Sequence, residues 1–201
     1  MATRSPHKLA ELRQLLHLPE VELVTLDDLG IPGDPVEDGA TFADNALIKA
    51  RWGAARSSLP TLADDSGIEV DALDGGPGVR TKRYAGEAAN DADNNAKLLT
   101  ELATLGAETP ERRGARYVCV LAFVEPGGTD EPILAEGTFV GRIAASPRGT
   151  GGFGYDPVFE PDFEAPGART VGQMSQAEKN AVSHRARAAA TIAAALRRRG
   201  Y

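Results

Sequence analysis

The stretch Leu62-Ala63-Asp64-Asp65-Ser66-Gly67-Ile68-Glu69-Val70 sets two adjacent carboxylates between two hydrophobic strand signals. We expect Ser66-Gly67 to form a tight turn, because glycine adopts backbone angles that other residues resist. Neighbouring aspartates repel each other unless a cation or a proton separates them. Oxygen ligands on a turn suit a hard divalent ion, Mg2+ before Ca2+. The stretch therefore predicts a metal site at Asp64 and Asp65 or, in the plainer interpretation, a turn and a helix cap.

Composition and charge narrow the class of protein that carries this stretch. A chain of 201 residues allows one sizeable domain, or two lobes that share a core. The formal net charge of -7 argues against nonspecific nucleic-acid binding. No apolar run approaches the length of a membrane span, and no secretory signal is visible. We therefore expect a cytoplasmic enzyme that binds neither nucleic acid nor membrane.

The N-terminal segment has the pattern of a strand end, a polar loop and a helix. Ser5 and Pro6 suit a helix start, since serine caps the first turn and proline fits within it. Leucines at 9, 12, 15 and 16 have helical spacing. Backbone N–H groups at a helix N-terminus bind anions, and Lys8 would lie in the first turn. Both an anion-binding role and a solvated surface position remain open for Lys8.

A second helix is predicted from Thr41 to about residue 56, because Thr41 and Asp44 form a capping pattern. Asn45 and Lys49 are four residues apart and share one face of that helix. Together they have the donors to hold a phosphate. An exposed polar stripe explains them equally simply, and from this pair alone we favour the stripe.

Strands and helices alternate along the rest of the chain. We expect strands at 21–26, 115–125 and 133–142, the last two joined as a hairpin by the linker 126–130. We expect a helix at 90–105. The single cysteine, Cys119, excludes an intramolecular disulfide and should be a buried strand residue. The pattern predicts one α/β domain over residues 1–201, with a mixed central sheet flanked by helices.

Two segments near the C-terminus carry unusual residues. In Phe153-Gly154-Tyr155-Asp156, two rings flank a glycine and a carboxylate follows, so the rings either stack on a flat base or pack in the core. Ser175 and Glu178 predict a helix start. Lys179, His184 and Arg185 do not share one helix face, so a common site would require a helix break near Ser183.

Five motifs occur together in one order over residues 2–185, and together they resemble the inosine triphosphate pyrophosphatase family. The resemblance implies hydrolysis of ITP, dITP or XTP to the monophosphate and pyrophosphate. It also implies Mg2+, a homodimer and a cleft between two lobes. The motifs are Ala2-Thr3 with Lys8; Glu37, Gly39, Thr41-Phe42, Asn45-Ala46 and Lys49-Ala50; Ala63-Asp64-Asp65-Ser66-Gly67; Gly152-Phe153-Gly154-Tyr155-Asp156-Pro157; and Glu178-Lys179-Asn180-Ala181-Val182-Ser183-His184-Arg185.

The resemblance also implies roles for individual residues. Asp65 matches the general base, and Glu37 and Asp65 match metal ligands, with Asp64 close by. The substrate contacts that it implies, together with the phosphate cations proposed from charge, are Thr3, Arg4, Ser5, Pro6, His7, Lys8, Asn45, Lys49, Ser66, Phe153, Gly154, Tyr155, Asp156, Lys179, His184 and Arg185. Donors from His184 or Arg185 to the 6-oxo group of hypoxanthine or xanthine would discriminate against adenine.

Two departures from the family pattern affect the N-terminal motif. Only Met1 and Ala2 precede Thr3, where the family has several apolar residues. Arg4-Ser5 stands where the family commonly has Gly-Asn, so either residue has to replace an asparagine contact to phosphate.

Two other functions are compatible with parts of the pattern. A nucleotide-binding regulator would keep the aromatic pocket but would not need both Asp64 and Asp65. A pyrophosphatase acting on modified pyrimidines would not need His184-Arg185 in its motif context.

Overall fold

The structure is a computed structural model that describes residues 1–128 and 131–201, except for the side chains of Pro6 and His7. Thr129 and Asp130, at the end of the predicted linker, lie outside the described residues. Within the described part of the chain, no helix combines the length and apolar character needed to cross a membrane.

Four strands form one sheet in the order β1-β2-β3-β4. They are β1 (Thr61–Val70), β2 (Gly114–Val124), β3 (Ile133–Ile143) and β4 (Phe159–Pro161). β3 and β4 are antiparallel, with Gly141 opposite Pro161. The two long predicted strands are confirmed as β2 and β3, which are neighbours, and Cys119 is fully buried in β2. The sequence missed β4, because three residues are too few to show alternation.

In the described part of the chain, five α-helices accompany the sheet, and together they confirm the α/β class. Three of them begin at caps that the sequence indicates: Ser5 accepts from Lys8 N, Thr41 from Asp44 N and Ser175 from Glu178 N. The predicted break at Ser183 is also confirmed, since one helix ends at Val182 and the next begins at His184. The helices are α1 (Pro6–Leu16), α2 (Phe42–Ser57), α3 (Asp91–Thr104), α4 (Gln176–Val182) and α5 (His184–Arg198).

Four local predictions are wrong. Asn45 and Lys49 are buried and do not form the exposed polar stripe that we favoured, and residues 1–5 do not include the end of a strand. Ser66-Gly67 does not turn the chain, because β1 continues without interruption through the acidic pair. Lys8 neutralises Asp64 and Lys49 neutralises Asp65, so β1 can continue through two adjacent carboxylates. Residues 21–26 do not form a strand either. Their backbone serves another purpose, since the Val24 carbonyl accepts a hydrogen bond of 2.8 Å from the Met1 ammonium.

The chain forms two compact units. Unit 1 comprises residues 1–65, 119–137 and 184–201, and unit 2 comprises residues 66–118 and 138–183. The chain passes from one unit to the other within β1, β2 and β3. The assignment of residues 1–201 to a single domain stays a prediction.

The core of unit 1 fixes the two helices that carry its charged residues. Leu12 and Leu16 of α1 pack in the same buried cluster as Ala188 and Ile192 of α5. Gly137 of β3 allows the start of α5 to approach closely, since a Cβ there would collide with the backbone of His184 and Ala188. These contacts pack α1 and α5 together in the core of unit 1.

The core of unit 2 is built around aromatic rings. Tyr117 and Phe159 have ring centroids 4.6 Å apart, and Phe139 lies 5.3 Å from Phe159. Leu98 of α3 and Val70 of β1 complete the fully buried apolar part. Tyr117 thereby brings a hydroxyl group into the interior of unit 2.

Candidate active site

Asp64 lies at the centre of a group of charges in unit 1. Its side chain is 2% exposed and accepts a salt bridge of 2.9 Å from Lys8 Nζ. The Arg185 guanidinium lies 3.6 Å away on the same carboxylate oxygen. Lys8 comes from the first turn of α1 and Arg185 from the first turn of α5. Lys8 precedes Asp64 by 56 positions and Arg185 follows it by 121, so residues far apart in the chain meet at the first acidic residue of β1.

Asp65 has a different cation. Lys49 Nζ of α2 lies 2.7 Å from Asp65 Oδ1 and 2.9 Å from Glu37 Oε2. One ammonium therefore joins a strand carboxylate to a loop carboxylate. Hereafter "the acidic cluster" means these residues of unit 1: Lys8, Glu11, Glu37, Lys49, Asp64, Asp65 and Arg185.

The two adjacent aspartates have opposite electrostatics. Burial alone would raise the pKa of the Asp64 carboxyl, but Lys8 and Arg185 outweigh that effect and lower it below its usual value. Burial raises the pKa of Asp65, and Lys49 offsets this only in part. Pairs of acids whose environments separate their pKa values are typical of sites that use one acid for chemistry. Asp64 is therefore a fixed anion, whereas Asp65 binds a proton more readily.

Glu11 belongs to the acidic cluster, and the sequence reasoning missed it. Its carboxylate is buried and pairs with the Arg185 guanidinium, which is itself 1% exposed. Glu11 follows Lys8 by three residues, so both project from the same face of α1. That spacing was visible in the sequence, but an acidic residue on a helix usually lies in solvent. A contact between Arg185 and a substrate base stays a prediction.

The loop that carries Glu37 is fixed by Asn45. The Asn45 side chain is buried, and its Oδ1 accepts a hydrogen bond of 2.9 Å from Gly39 N. A Cβ at Gly39 would lie 2.7 Å from that oxygen, so only glycine fits. Asn45 therefore orders the loop two residues from Glu37. Lys49 reaches the carboxylates from the same helix, while a phosphate contact by Asn45 stays a prediction.

Arg4 is engaged by a loop of unit 1. It forms ion pairs with Asp27 and Asp34 and donates to the carbonyl oxygens of Ile31 and Gly33. Substrate contacts by Thr3, Arg4 and Ser5 stay predictions, and the side chains of Pro6 and His7 lie outside the described residues. A cavity of about 230 Å³ is lined by Thr3, Arg4, Ser5, Leu9, Arg13, Thr25, Asp27 and Asp28.

Asp156 is the centre of a second group of polar residues, in unit 2. Its carboxylate accepts a salt bridge of 2.7 Å from Lys179 Nζ and hydrogen bonds of 2.9 Å from Phe153 N and 3.2 Å from the Tyr117 hydroxyl. Burial, and then the negative charge of Asp156, raise the pKa of Tyr117 well above its usual value, so it stays a donor. We call Tyr117, Phe153, Asp156 and Lys179 the Asp156 cluster.

The two rings of the aromatic motif have different environments. Tyr155 is buried, and its hydroxyl donates to the Thr81 carbonyl at 2.9 Å. Phe153 is half-buried, and Lys179 Nζ lies 4.3 Å from its ring centroid. Phe153 is therefore the ring that is open to stacking, whereas Tyr155 packs in the core. Substrate contacts by these residues stay predictions.

Gly154, between the two rings, is attached to α3. Its N–H donates to Asp91 Oδ2 at 2.6 Å, and its carbonyl accepts from Asn95 Nδ2 at 3.0 Å. Sequence reasoning missed both partners, as it missed Tyr117, because nothing local in α3 or β2 indicates contact with a loop 39 to 63 residues away. These three residues fix the conformation of the aromatic motif.

Ser66 and His184 complete the predicted site. Ser66 is half-buried and directly follows Asp65 in β1, and His184 is buried at the start of α5. Unit 1 brings together Lys8, Lys49 and Arg185 with the acidic pair, as the sequence reasoning expected. Lys179, the fourth proposed phosphate cation, pairs instead with Asp156 in unit 2. The roles of Ser66 and His184 in binding substrate stay predictions.

The carboxylates of the acidic cluster have the chemistry to bind a hard cation. Among the described residues, no three His, Cys, Asp or Glu side chains are grouped so as to hold a metal ion by themselves. Glu37 and Asp65 nevertheless already face one shared cation, the Lys49 ammonium. Carboxylate oxygens are the ligands that Mg2+ uses in proteins. Glu37 and Asp65 therefore fit a divalent ion for two reasons: they offer carboxylate oxygens, and both already bind the same cation.

Comparisons with known proteins place this geometry in context. The profile of the Ham1 family matches residues 1–195. A dITP/XTP pyrophosphatase of Corynebacterium diphtheriae is 49% identical over 94% of this chain and 91% of its own length. One from Nocardia farcinica is 47% identical over 98% and 93%. The solved structure of a HAM1 protein from Coxiella burnetii has a TM-score of 0.87 at 38% identity, covering 98% of this chain and 96% of the other.

Proposed function

This chain belongs to the Ham1 family, and we propose that it hydrolyses nonstandard purine nucleoside triphosphates, namely ITP, dITP and XTP, to the monophosphate and pyrophosphate. Family membership confirms the resemblance drawn from the five motifs. Relatives nearly half identical over almost the full length are dITP/XTP pyrophosphatases. The observation that carries the proposal is the convergence of Lys8, Lys49 and Arg185 on Asp64 and Asp65.

Asp65 is the proposed general base. It accepts a proton from a water molecule whose oxygen attacks the α-phosphorus, and the bond from that phosphorus to the bridging oxygen of pyrophosphate breaks. The position of Asp65 beside the proposed metal site supports this role, because a carboxylate next to a bound metal can accept a proton from the attacking water. Asp64, held ionised by Lys8 and Arg185, fixes those two cations in place.

Glu37 and Asp65 are the proposed ligands of Mg2+, and Asp64 stands next to them. A bound divalent cation would neutralise part of the charge of the triphosphate and polarise its phosphoryl oxygens. Lys8 and Lys49 are the proposed cations for the remaining phosphate charge. Lys8 is suited to this because its side chain is 21% exposed while its ammonium stays on Asp64.

The Asp156 cluster is proposed to serve the base and sugar. Phe153 offers a half-buried ring for stacking on a purine. Asp156 and Lys179 hold that ring and its backbone, so the stacking surface is preorganised. A homodimer and a cytoplasmic location remain predictions from the family resemblance and from composition, to be checked by light scattering and by fractionation of cells.

A substrate panel in labelled water tests the proposal. ITP, dITP, XTP, ATP, GTP and modified pyrimidine triphosphates are incubated with the protein and Mg2+ in H2(18)O, and pyrophosphate and orthophosphate are measured separately. We expect pyrophosphate from the first three, with the label in the monophosphate. Orthophosphate as the sole product would refute the reaction. ATP turnover as fast as that of ITP would refute the selectivity, and label in pyrophosphate would refute attack at the α-phosphorus.

A further inference from the structure

Lys49 lies between the two carboxylates that we assign to the metal. Its Nζ is 2.7 Å from Asp65 Oδ1 and 2.9 Å from Glu37 Oε2. Building on the metal site proposed above, we propose that Lys49 is a tethered counter-ion. It holds Glu37 and Asp65 together in the metal-free protein and is displaced from them when a divalent cation binds.

Charge explains why a cation is needed in the metal-free state. Glu37 and Asp65 share one donor, so their carboxylates would repel each other if that donor were removed. The Lys49 ammonium supplies a single positive charge to two negative ones. A divalent cation supplies two and balances the pair completely. The pair is therefore preformed for a stronger cation than the one that it now holds.

Distance explains why the two cations compete. Ammonium donors approach carboxylate oxygens at about 2.8 Å, whereas Mg2+ requires about 2.1 Å to several oxygens at once. A divalent ion bound to Glu37 and Asp65 would lie against the Lys49 ammonium and repel it. A lysine can leave such a position, because its charge is carried on a flexible four-carbon chain.

The rest of the acidic cluster leaves room for this exchange. Asp64 has cations of its own in Lys8 and Arg185, so it does not depend on Lys49 for an ion pair. The Glu37 side chain is 36% exposed and lies on a loop, which gives an incoming ion access to the pair. The exchange therefore requires movement of Lys49, while the ion pairs of Asp64 with Lys8 and Arg185 remain.

Displacement also links metal binding to substrate binding. Once displaced from Glu37 and Asp65, the Lys49 ammonium has no anionic partner. A polyphosphate tail is an anion that binds it. Metal binding thus frees a cation beside the position where the charge of the triphosphate accumulates. The order that follows is metal first, then full engagement of the phosphates by Lys49.

Binding of Mn2+ to the nucleotide-free protein tests the exchange. Free Mn2+ is measured by its paramagnetic resonance signal during titration. We expect Lys49→Met to bind Mn2+ roughly tenfold more tightly than the parent protein, because the competing charge is gone. Lys49→Arg keeps a tethered cation and should bind no more tightly than the parent. Lys97→Met, in which a lysine of unit 2 is neutralised, should not change the affinity.

Thermal unfolding gives an independent readout. Without metal, Lys49→Met should melt below the parent protein, and added Mn2+ should raise its melting temperature more than that of the parent. If Lys49→Met is unfolded without metal, recovery of structure on addition of Mn2+ serves as the same measurement. Mn2+ affinity of Lys49→Met that is equal to or weaker than the parent's overturns the proposal.

A third variant separates the exchange from the metal site itself. Glu37→Gln removes a proposed ligand and should weaken Mn2+ binding both in the parent and together with Lys49→Met. If Glu37→Gln has no effect, the metal site is wrong. If Glu37→Gln weakens binding but Lys49→Met does not strengthen it, the site stands and the displacement of Lys49 is wrong. Release of pyrophosphate from ITP tests the proposed function separately.

Discussion

The acidic cluster of unit 1 and the Asp156 cluster of unit 2 are both buried groups of carboxylates and cations, but their charge balance differs. In the Asp156 cluster, one carboxylate meets one lysine and two neutral donors. Among the described side chains, the acidic cluster joins four carboxylates to three cations: Glu11, Glu37, Asp64 and Asp65 with Lys8, Lys49 and Arg185.

This difference indicates different tasks. A balanced and fully hydrogen-bonded carboxylate such as Asp156 is stable as it stands and holds its loop in one conformation. A group with surplus negative charge has an affinity for a further cation, and one of its acids, Asp65, has a raised pKa. The charge of the acidic cluster supports the proposal of metal binding and catalysis there, and the paired state of Asp156 supports the proposed positioning role of the Asp156 cluster.

The largest effect that this comparison predicts is on turnover. Asp65→Asn should lower kcat for ITP by a factor of about 10² to 10⁴, because the proposed general base is lost. The variant should fold, since Asn is isosteric and Lys49 keeps Glu37. Steady-state kinetics measures kcat, and circular dichroism tests whether the variant folds. An unchanged kcat in a folded variant would remove the assignment of Asp65.

The next largest effect is on stability, and it should be found in unit 2. Lys179→Met leaves the Asp156 carboxylate buried without its counter-charge, which should lower the free energy of unfolding by about 3–5 kcal/mol. Lys8→Met is the matched variant in unit 1 and should cost less, since Asp64 keeps Arg185. Denaturant titration of the two variants measures the free energy of unfolding that each one loses. Equal losses of unfolding free energy in the two variants would contradict the expectation that Arg185 compensates for the loss of Lys8.

Much of the fold could be predicted because its signals are local. Ser5, Thr41 and Ser175 are followed at the right spacing by residues that complete a helix start. The turn at Ser66-Gly67 was wrong for the opposite reason. A serine and a glycine favour a turn locally, but the strand is stabilised by cations on α1, α2 and α5 that no local pattern reveals.

The site could be predicted only in part for the same reason. The resemblance to a family and the charge argument identified the charged residues that meet in unit 1, with the exception of Glu11. Neither indicated that Asn45 orders a loop or that Arg4 pairs with Asp27 and Asp34. Asn95 and Tyr117 were missed because each acts through one hydrogen bond across a long stretch of sequence. Such contacts depend on tertiary packing.

A smaller effect tests the positioning role of the Asp156 cluster. Tyr117→Phe removes one hydrogen bond to a buried carboxylate and should cost about 1.5 kcal/mol of stability. Because that carboxylate also holds Phe153 N, we expect KM for ITP to rise while kcat stays close to that of the parent. A fall in kcat with unchanged KM would contradict a role in positioning.

The smallest effect distinguishes Asp64 from Asp65 by the sign of a pH dependence. The folded pKa of Asp64 is lowered, so its ionised form stabilises the fold above about pH 4, and that contribution is lost as the pH falls further. The folded pKa of Asp65 is raised, so the fold loses stability as the pH rises through the range in which Asp65 ionises.

Unfolding by denaturant from about pH 3 to about pH 8 measures the two slopes. Relative to the parent protein, Asp64→Asn should become less stable as the pH rises, and Asp65→Asn should become more stable. Slopes of the same sign would show that the two carboxyls titrate as equivalent members of one pair. Opposite slopes would show that two adjacent residues of β1 have different tasks: Asp64 holds cations, whereas Asp65 exchanges a proton.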